Sequence, residues 1–94
     1  MVLKLLFLGD KAEDSVLSAA SVRFGVSVDI LHGKIEYIGN HAMGLLVVRL
    51  AELPLDAMPQ ALADHYASAP LARLDGALQF IRENATQVEV LHAH

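Results

Sequence analysis

Val26-Ser27-Val28-Asp29-Ile30-Leu31-His32-Gly33-Lys34-Ile35-Glu36-Tyr37-Ile38-Gly39 is the stretch from which the rest of the chain can be read. Its first half places apolar residues at even positions, Val26, Val28 and Ile30. Its second half places them mainly at odd positions, Ile35 and Tyr37, with Leu31 already in the new phase. Side chains of a strand alternate between faces, so a phase change of one residue would turn the buried set outward. A β-bulge absorbs the extra residue, and His32-Gly33 is where we expect it. Gly33 suits that place because it can take a positive φ without a Cβ clash. The stretch predicts one long, kinked strand that serves as sheet core and as the wall of a site.

Upstream, Val2 to Leu8 is apolar apart from Lys4, as in a strand covered on both faces. Gly9-Asp10 ends it. Asp10 and Glu13 are spaced as a capping box, with Asp14 or Ser15 as later caps. Val16, Leu17, Ala20 and Phe24 then recur at helical spacing, and Gly25 is placed to stop the helix. Downstream, Gly39-Asn40-His41 is turn material and Met43 to Leu50 a dense apolar strand, which makes an antiparallel hairpin. Ala51 to Pro70 carries all three prolines, Pro54, Pro59 and Pro70. Its middle, Asp56 to Ala67, predicts a short helix with Leu62 and Tyr66 on one face. Leu71 to Asn84 is a better helix, striped by Leu71, Leu74, Ala77, Leu78 and Ile81, although Gly76 weakens it by about 1 kcal/mol relative to alanine. Gln87 to His92 alternates as a closing strand, with Val88 and Val90 on one face.

The order β-α-β-β-α-β predicts an α+β fold: a ferredoxin-like two-layer sandwich with an antiparallel sheet and its helices on one face. Leu3, Leu5, Phe7 and the Leu45 to Val48 run leave neither face of the inner strands polar, so a partner is expected on the open face or along an edge. A second copy of the chain is the simplest candidate.

Ninety-four residues make one small domain. A hydrophobic fraction of 54% and a mean hydropathy of +0.42 also point to surface that something covers. No apolar run approaches the roughly 18 residues of a membrane span, since Lys4, Asp10, Asp29, Lys34, Glu36 and Arg49 interrupt. Met1 to Gly9 lacks a basic leader and cleavage site, so no signal peptide is expected. The absence of cysteine excludes disulfides, thiolate zinc and iron–sulfur ligation. A net charge of −4 argues against a nucleic-acid partner. These features describe a cytoplasmic module without direct membrane insertion.

The ten residues Asp29 to Ile38 resemble the signature of the NIL domain, a module of the ATP-binding subunit of bacterial methionine importers, named for an Asn-Ile-Leu triplet. The likeness extends to Leu5-Leu6-Phe7-Leu8-Gly9, Arg23-Phe24-Gly25-Val26, Gly44-Leu45-Leu46-Val47-Val48 and Val88-Glu89-Val90-Leu91. It implies a ferredoxin-like regulatory domain over residues 1–94. It further implies pairing of two copies through their sheets and binding of cytosolic methionine or a similar amino acid. Occupied domains would then hold the ATPase subunits beside their permease in a state that cannot hydrolyse productively. The family's ligand site lies near the dimer interface and uses the triplet Asn and an apolar residue after the Gly, here Asp29 and Ile35. Ile30, Leu31, His32, Gly33 and Tyr37 complete the candidate ligand-binding set.

Two departures accompany the resemblance. The triplet reads Asp-Ile-Leu, and an ionised aspartate only accepts where asparagine both donates and accepts. Residues 52–70 look like an insertion. The chain also lacks a G-x-x-x-x-G-K-[ST] loop, so no ATPase core is expected in it, whether it is a fragment or a free-standing relative. No cofactor is implied. His32, His41, His65, His92 and His94 do not make a metal site of three or four fixed ligands. The serines at 15, 18, 21, 27 and 68 lack a nucleophile's setting, and no catalytic residue is expected. The alternative is an interaction module that keeps the fold and the dimer but has lost ligand binding.

Overall fold

The computed structural model describes residues 1–8, 13–69 and 72–93, with the backbone alone at 13, 14 and 38. Its elements are β1 (Val2–Leu8), α1 (Glu13–Phe24), β2 (Val26–Ile38), β3 (His41–Glu52), a 3-10 turn (Leu55–Ala57), α2 (Gln60–Ala67), α3 (Arg73–Asn84) and β4 (Gln87–His92). The four strands form one sheet in the order β2-β3-β1-β4, and all neighbours are antiparallel. This is the split β-α-β-β-α-β arrangement with one additional short helix.

Strand alternation sets the two layers. Leu3, Leu5 and Phe7 of β1 point to one face and are at most 2% exposed. In register beside them stand Val48, Leu46 and Gly44 of β3 and, across the other edge of β1, Val90 and Val88 of β4. Leu17 and Ala20 of α1 and Ala77 and Ile81 of α3 close this face into a single core with Val26 and Leu50. The opposite face carries Lys4, Leu6, Leu8, Met43, Leu45, Val47 and Arg49 by the same register.

Glycines mark two of the critical packing positions. Gly25 follows α1 with φ +63° and donates its N–H to the Ser21 carbonyl at 2.9 Å, the helix stop expected of it. Gly76 is buried beneath the ring of Phe24, where a Cβ would lie 2.6 Å from Phe24 Cε1. The residue that weakens α3 in isolation is therefore what lets α1 and α3 approach.

Several expectations need correction. The bulge is present, but the ladder steps from Ile30 opposite Val48 to His32 opposite Val47, so Leu31 is the unmatched residue. Gly33 is not at positive φ; it faces Leu46, whose Cδ2 lies 2.8 Å from where a Cβ would stand, so its role is steric. His41 is already strand, paired with Ile38 across a Gly39-Asn40 turn, in which only the first central residue has positive φ. The helix expected over 56–67 is split. Met58, in front of Pro59, is held extended at φ −127°, ψ 162°, as the residue before a proline prefers. On α2 the buried residue is Ala63, not Leu62, which is 47% exposed. The expected stop at Gly9-Asp10, the Asp10–Glu13 capping box, Pro70, Leu71 and His94 lie outside the described residues.

Candidate functional site

Every candidate ligand-binding residue sits on β2, and β2 is a sheet edge. One side of its backbone is paired with β3, and the other presents unpaired strand groups that a further strand can use. Four of its apolar side chains are well exposed: Ile30 56%, Leu31 52%, Ile35 63% and Tyr37 73%. For Ile35 and Tyr37 the reason is length. The 12 residues of α1 span about 18 Å, whereas the 13 residues of β2 span about 43 Å. The helix covers the first part of the strand and falls short of the rest.

The bulge sorts the candidate residues between faces. Ile30, Gly33, Ile35 and Tyr37 share the helix-side face, opposite Val48, Leu46, Gly44 and Ala42. Asp29 and His32 share the other face, opposite Arg49 and Val47, and Leu31 has no counterpart. Ile35 and Tyr37 are thus brought together. Asp29 and Ile35 are not: within one copy they stand on opposite faces and about 20 Å apart along the strand. On the helix side, Ile30 and Val28 form one wall of an open groove of about 420 Å³, with Leu17, Ser18, Ser21 and Val22 of α1 as the other.

Charge lies on the opposite face. Arg49 Nη2 donates to Asp29 Oδ2 at 3.0 Å across the β2–β3 ladder. Two residues past His32, Lys34 Nζ lies 2.6 Å from Glu36 Oε1 on the same strand. In the sequence Arg49 is only a charge that interrupts an apolar run, because its position opposite Asp29 follows from a register between residues 20 apart in sequence. A second residue of this kind is Arg73, at the start of α3. A cation there opposes the helix dipole, which is a signal that it has partners elsewhere. It ion-pairs with Glu52 at 3.4 Å and lies 5.9 Å from the centre of the Tyr66 ring.

Three of the serines have structural occupations. Ser21, Ser27 and Ser68 donate to the carbonyls of Val26, Ala51 and His65. A depression of about 430 Å³ between the helices is lined by Arg23, Phe24, His65, Tyr66, Ser68 and Arg73, but Arg23 stacks on the Phe80 ring at 4.9 Å. Among the described residues no group of three His, Asp or Glu side chains is placed to hold a metal ion, and no helix is long and apolar enough to cross a membrane.

Comparison with known proteins gives a uniform result. The family model of the NIL domain matches residues 1–90. The chain is 47% identical over 90 residues to the methionine import ATP-binding protein MetN of Salmonella enteritidis, covering 96% of the chain and 24% of that protein. It is 47% identical over 91 residues to MetN 2 of Pectobacterium atrosepticum, covering 97% and 22%. With MetN 1 of Oceanobacillus iheyensis the identity is 30% over 90 residues, covering 96% and 22%. The chain therefore spans about a quarter of the length of the curated relatives it matches. Among solved structures, the C-terminal domain of an ABC transporter ATP-binding protein from Enterococcus faecalis superposes with a TM-score of 0.61 at 20% identity, covering 99% of this chain and 84% of that one. That likeness shows the fold.

Proposed function

This chain belongs to the NIL-domain family, and from that membership we propose that it is the ligand-sensing regulatory domain of an ABC-type methionine importer. In this reading all 94 residues form one cytoplasmic domain without ATPase chemistry of its own. It binds methionine or a similar amino acid as a homodimer and restrains import when that ligand is abundant. A ligand that binds better to one arrangement of the ATP-binding subunits shifts the population toward it, by no more than the difference in affinity.

The observation that carries this reading is the set of exposed apolar side chains on the free edge of β2, beside the Asp29–Arg49 pair. An edge of this kind takes a further strand by backbone pairing. A second copy of β2, running antiparallel, fits by parity. The first half of β2 puts even residues on the helix side and the second half odd ones. Where the first half of one copy lies against the second half of the other, faces match when an even residue meets an odd one. One such register sets Val28 against Ile35 of the second copy, and Asp29 against its Lys34, apolar on apolar and acid on base. Asp29 and Ile35, far apart in one copy, then stand one ladder step apart across two, on opposite faces of the sheet. Of the segment 52–70, read as an insertion, Leu53 and Tyr66 are tied to Gly25 and Val22, at the Val26 end of β2.

The test is calorimetric titration of the chain with L-methionine at a concentration where sedimentation has fixed its oligomeric state. Saturable binding by a dimer is expected. The Asp29–Arg49 contact also favours the alternative, an interaction module whose acid is already satisfied by a cation. A dimer that gives no heat and no thermal stabilisation at millimolar methionine would establish that alternative in place of the sensor.

A further inference from the structure

A zwitterionic amino acid presents an ammonium, which needs an acceptor, and a carboxylate, which needs a donor. An asparagine side chain can serve both. Asp29, when ionised, can serve only the first. The sheet register supplies the other half. Arg49 stands directly across the ladder from Asp29, and the two touch through one nitrogen and one oxygen, Nη2 to Oδ2, at 3.0 Å. Within one copy their side chains are 56% and 53% exposed, so a solute can reach both. A guanidinium carries five N–H donors in a flat fork suited to carboxylates, and a carboxylate has about four lone-pair positions. A contact through one atom of each leaves capacity on both members.

Resting on the amino-acid-sensing reading above, we propose that Arg49 is the carboxylate-binding residue of the site and Asp29 its ammonium-binding residue. The pair divides between two side chains what one amide would do alone. The ligand class is then an α-amino acid with both head groups free, since the ligand's two charges share one carbon and the pair holds its own two charges equally close. Amidation removes the charge that Arg49 reads, and N-acylation removes the one that Asp29 reads. Within one copy, Ile35 and Tyr37 take no part in holding these two head groups, because both lie on the other face of β2.

The experiment compares L-methionine, L-methioninamide and N-acetyl-L-methionine by calorimetry on the wild-type chain and on Arg49→Gln, Arg49→Lys and Asp29→Asn, each first checked for unchanged thermal unfolding. The wild type is expected to bind methionine about tenfold or more tightly than either derivative, the scale set by one hydrogen-bonded charge. Arg49→Gln should lose about tenfold for methionine while leaving methioninamide nearly unaffected, so that the preference for a free carboxylate disappears. Arg49→Lys should restore part of that preference, and it serves as the selectivity test if Arg49→Gln fails to fold. A merely structural arginine would weaken all three ligands alike. If the wild type binds methionine and Arg49→Gln keeps both affinity and preference, the assignment of Arg49 is wrong and the sensor reading stands. If the wild type binds no amino acid, both are overturned.

Discussion

Arg73 and Gly25 are joined by a hydrogen bond across 48 residues of sequence: Arg73 Nη1 donates to the Gly25 carbonyl at 2.8 Å. The same nitrogen donates to the Leu53 carbonyl at 2.9 Å, and Leu53 N–H itself donates to the Gly25 carbonyl at 2.9 Å. One guanidinium, with its side chain only 11% exposed, thus fastens the end of α1, the exit of β3 and the start of α3 at a single point. Tyr66 adds a strap from α2 through its hydroxyl, which donates to the Val22 carbonyl.

Arg73→Ala is expected to destabilise the chain by about 2–3 kcal/mol, because it leaves two carbonyls without their charged donor. Arg73→Lys should recover less than half of this, since an ammonium cannot reproduce the flat fork. Urea unfolding midpoints measure both.

Gly76→Ala should also destabilise, against helix propensity. Alanine would favour α3 by about 1 kcal/mol, but overpacking against Phe24 typically costs about 1–3 kcal/mol, so the clash prevails. In a Phe24→Leu background the same substitution should become stabilising. Thermal unfolding of the four proteins tests the coupling, and the same sign in both backgrounds would remove the clash as the reason for this glycine.

Deleting Leu31 should leave the fold intact, with stability changed by less than about 1 kcal/mol, as for other changes outside the core. The unmatched residue disappears, and every pair from Ile30 opposite Val48 through Ile38 opposite His41 survives. Deleting Lys34 instead shifts Ile35, Glu36 and Tyr37 to the wrong faces, and a larger loss is expected. Amide exchange along β2 distinguishes the two deletions.

Ile35→Asp should change monomer stability by no more than about 0.5 kcal/mol, because the side chain is 63% exposed. Its expected effect is on association: sedimentation should show the chain shifted toward monomer, with ligand affinity lost alongside. Unchanged self-association would take Ile35 out of the contact surface.

Much of this architecture is visible in the residues themselves. The phase change between Ile30 and Ile35 reveals a bulge, Gly25 ends a helix where it should, and the β-α-β-β-α-β order follows from hydrophobic spacing and the turn residues between the elements. What periodicity does not carry is which apolar residues end up covered. Ile35 and Tyr37 read like core, yet they lie on an edge strand that outruns the helix packed on it. Leu62 reads like core as well, but on α2 the inward position went to Ala63. The Asp29–Arg49 contact was hidden for a different reason: it depends on strand register, which a charge pattern does not specify. Arg73 left a trace, a cation at the wrong end of a helix, which gains meaning once Glu52 and the Leu53 carbonyl are seen beside it.

The reach of the β2–β3 hairpin beyond α1 gives the molecule two kinds of firmness. At the Val26 end, a collapsed core holds the strands, and dilution cannot loosen it. At the Gly39 end, β2 is held through its ladder to β3, and its apolar side chains face water unless another surface arrives. Segments with few buried contacts open first and most often. Amide exchange in the outer half of β2 should therefore slow as the chain is concentrated, while exchange near Val26 stays constant. That gradient would make the hairpin tip a gauge of how crowded the domain is by its own kind.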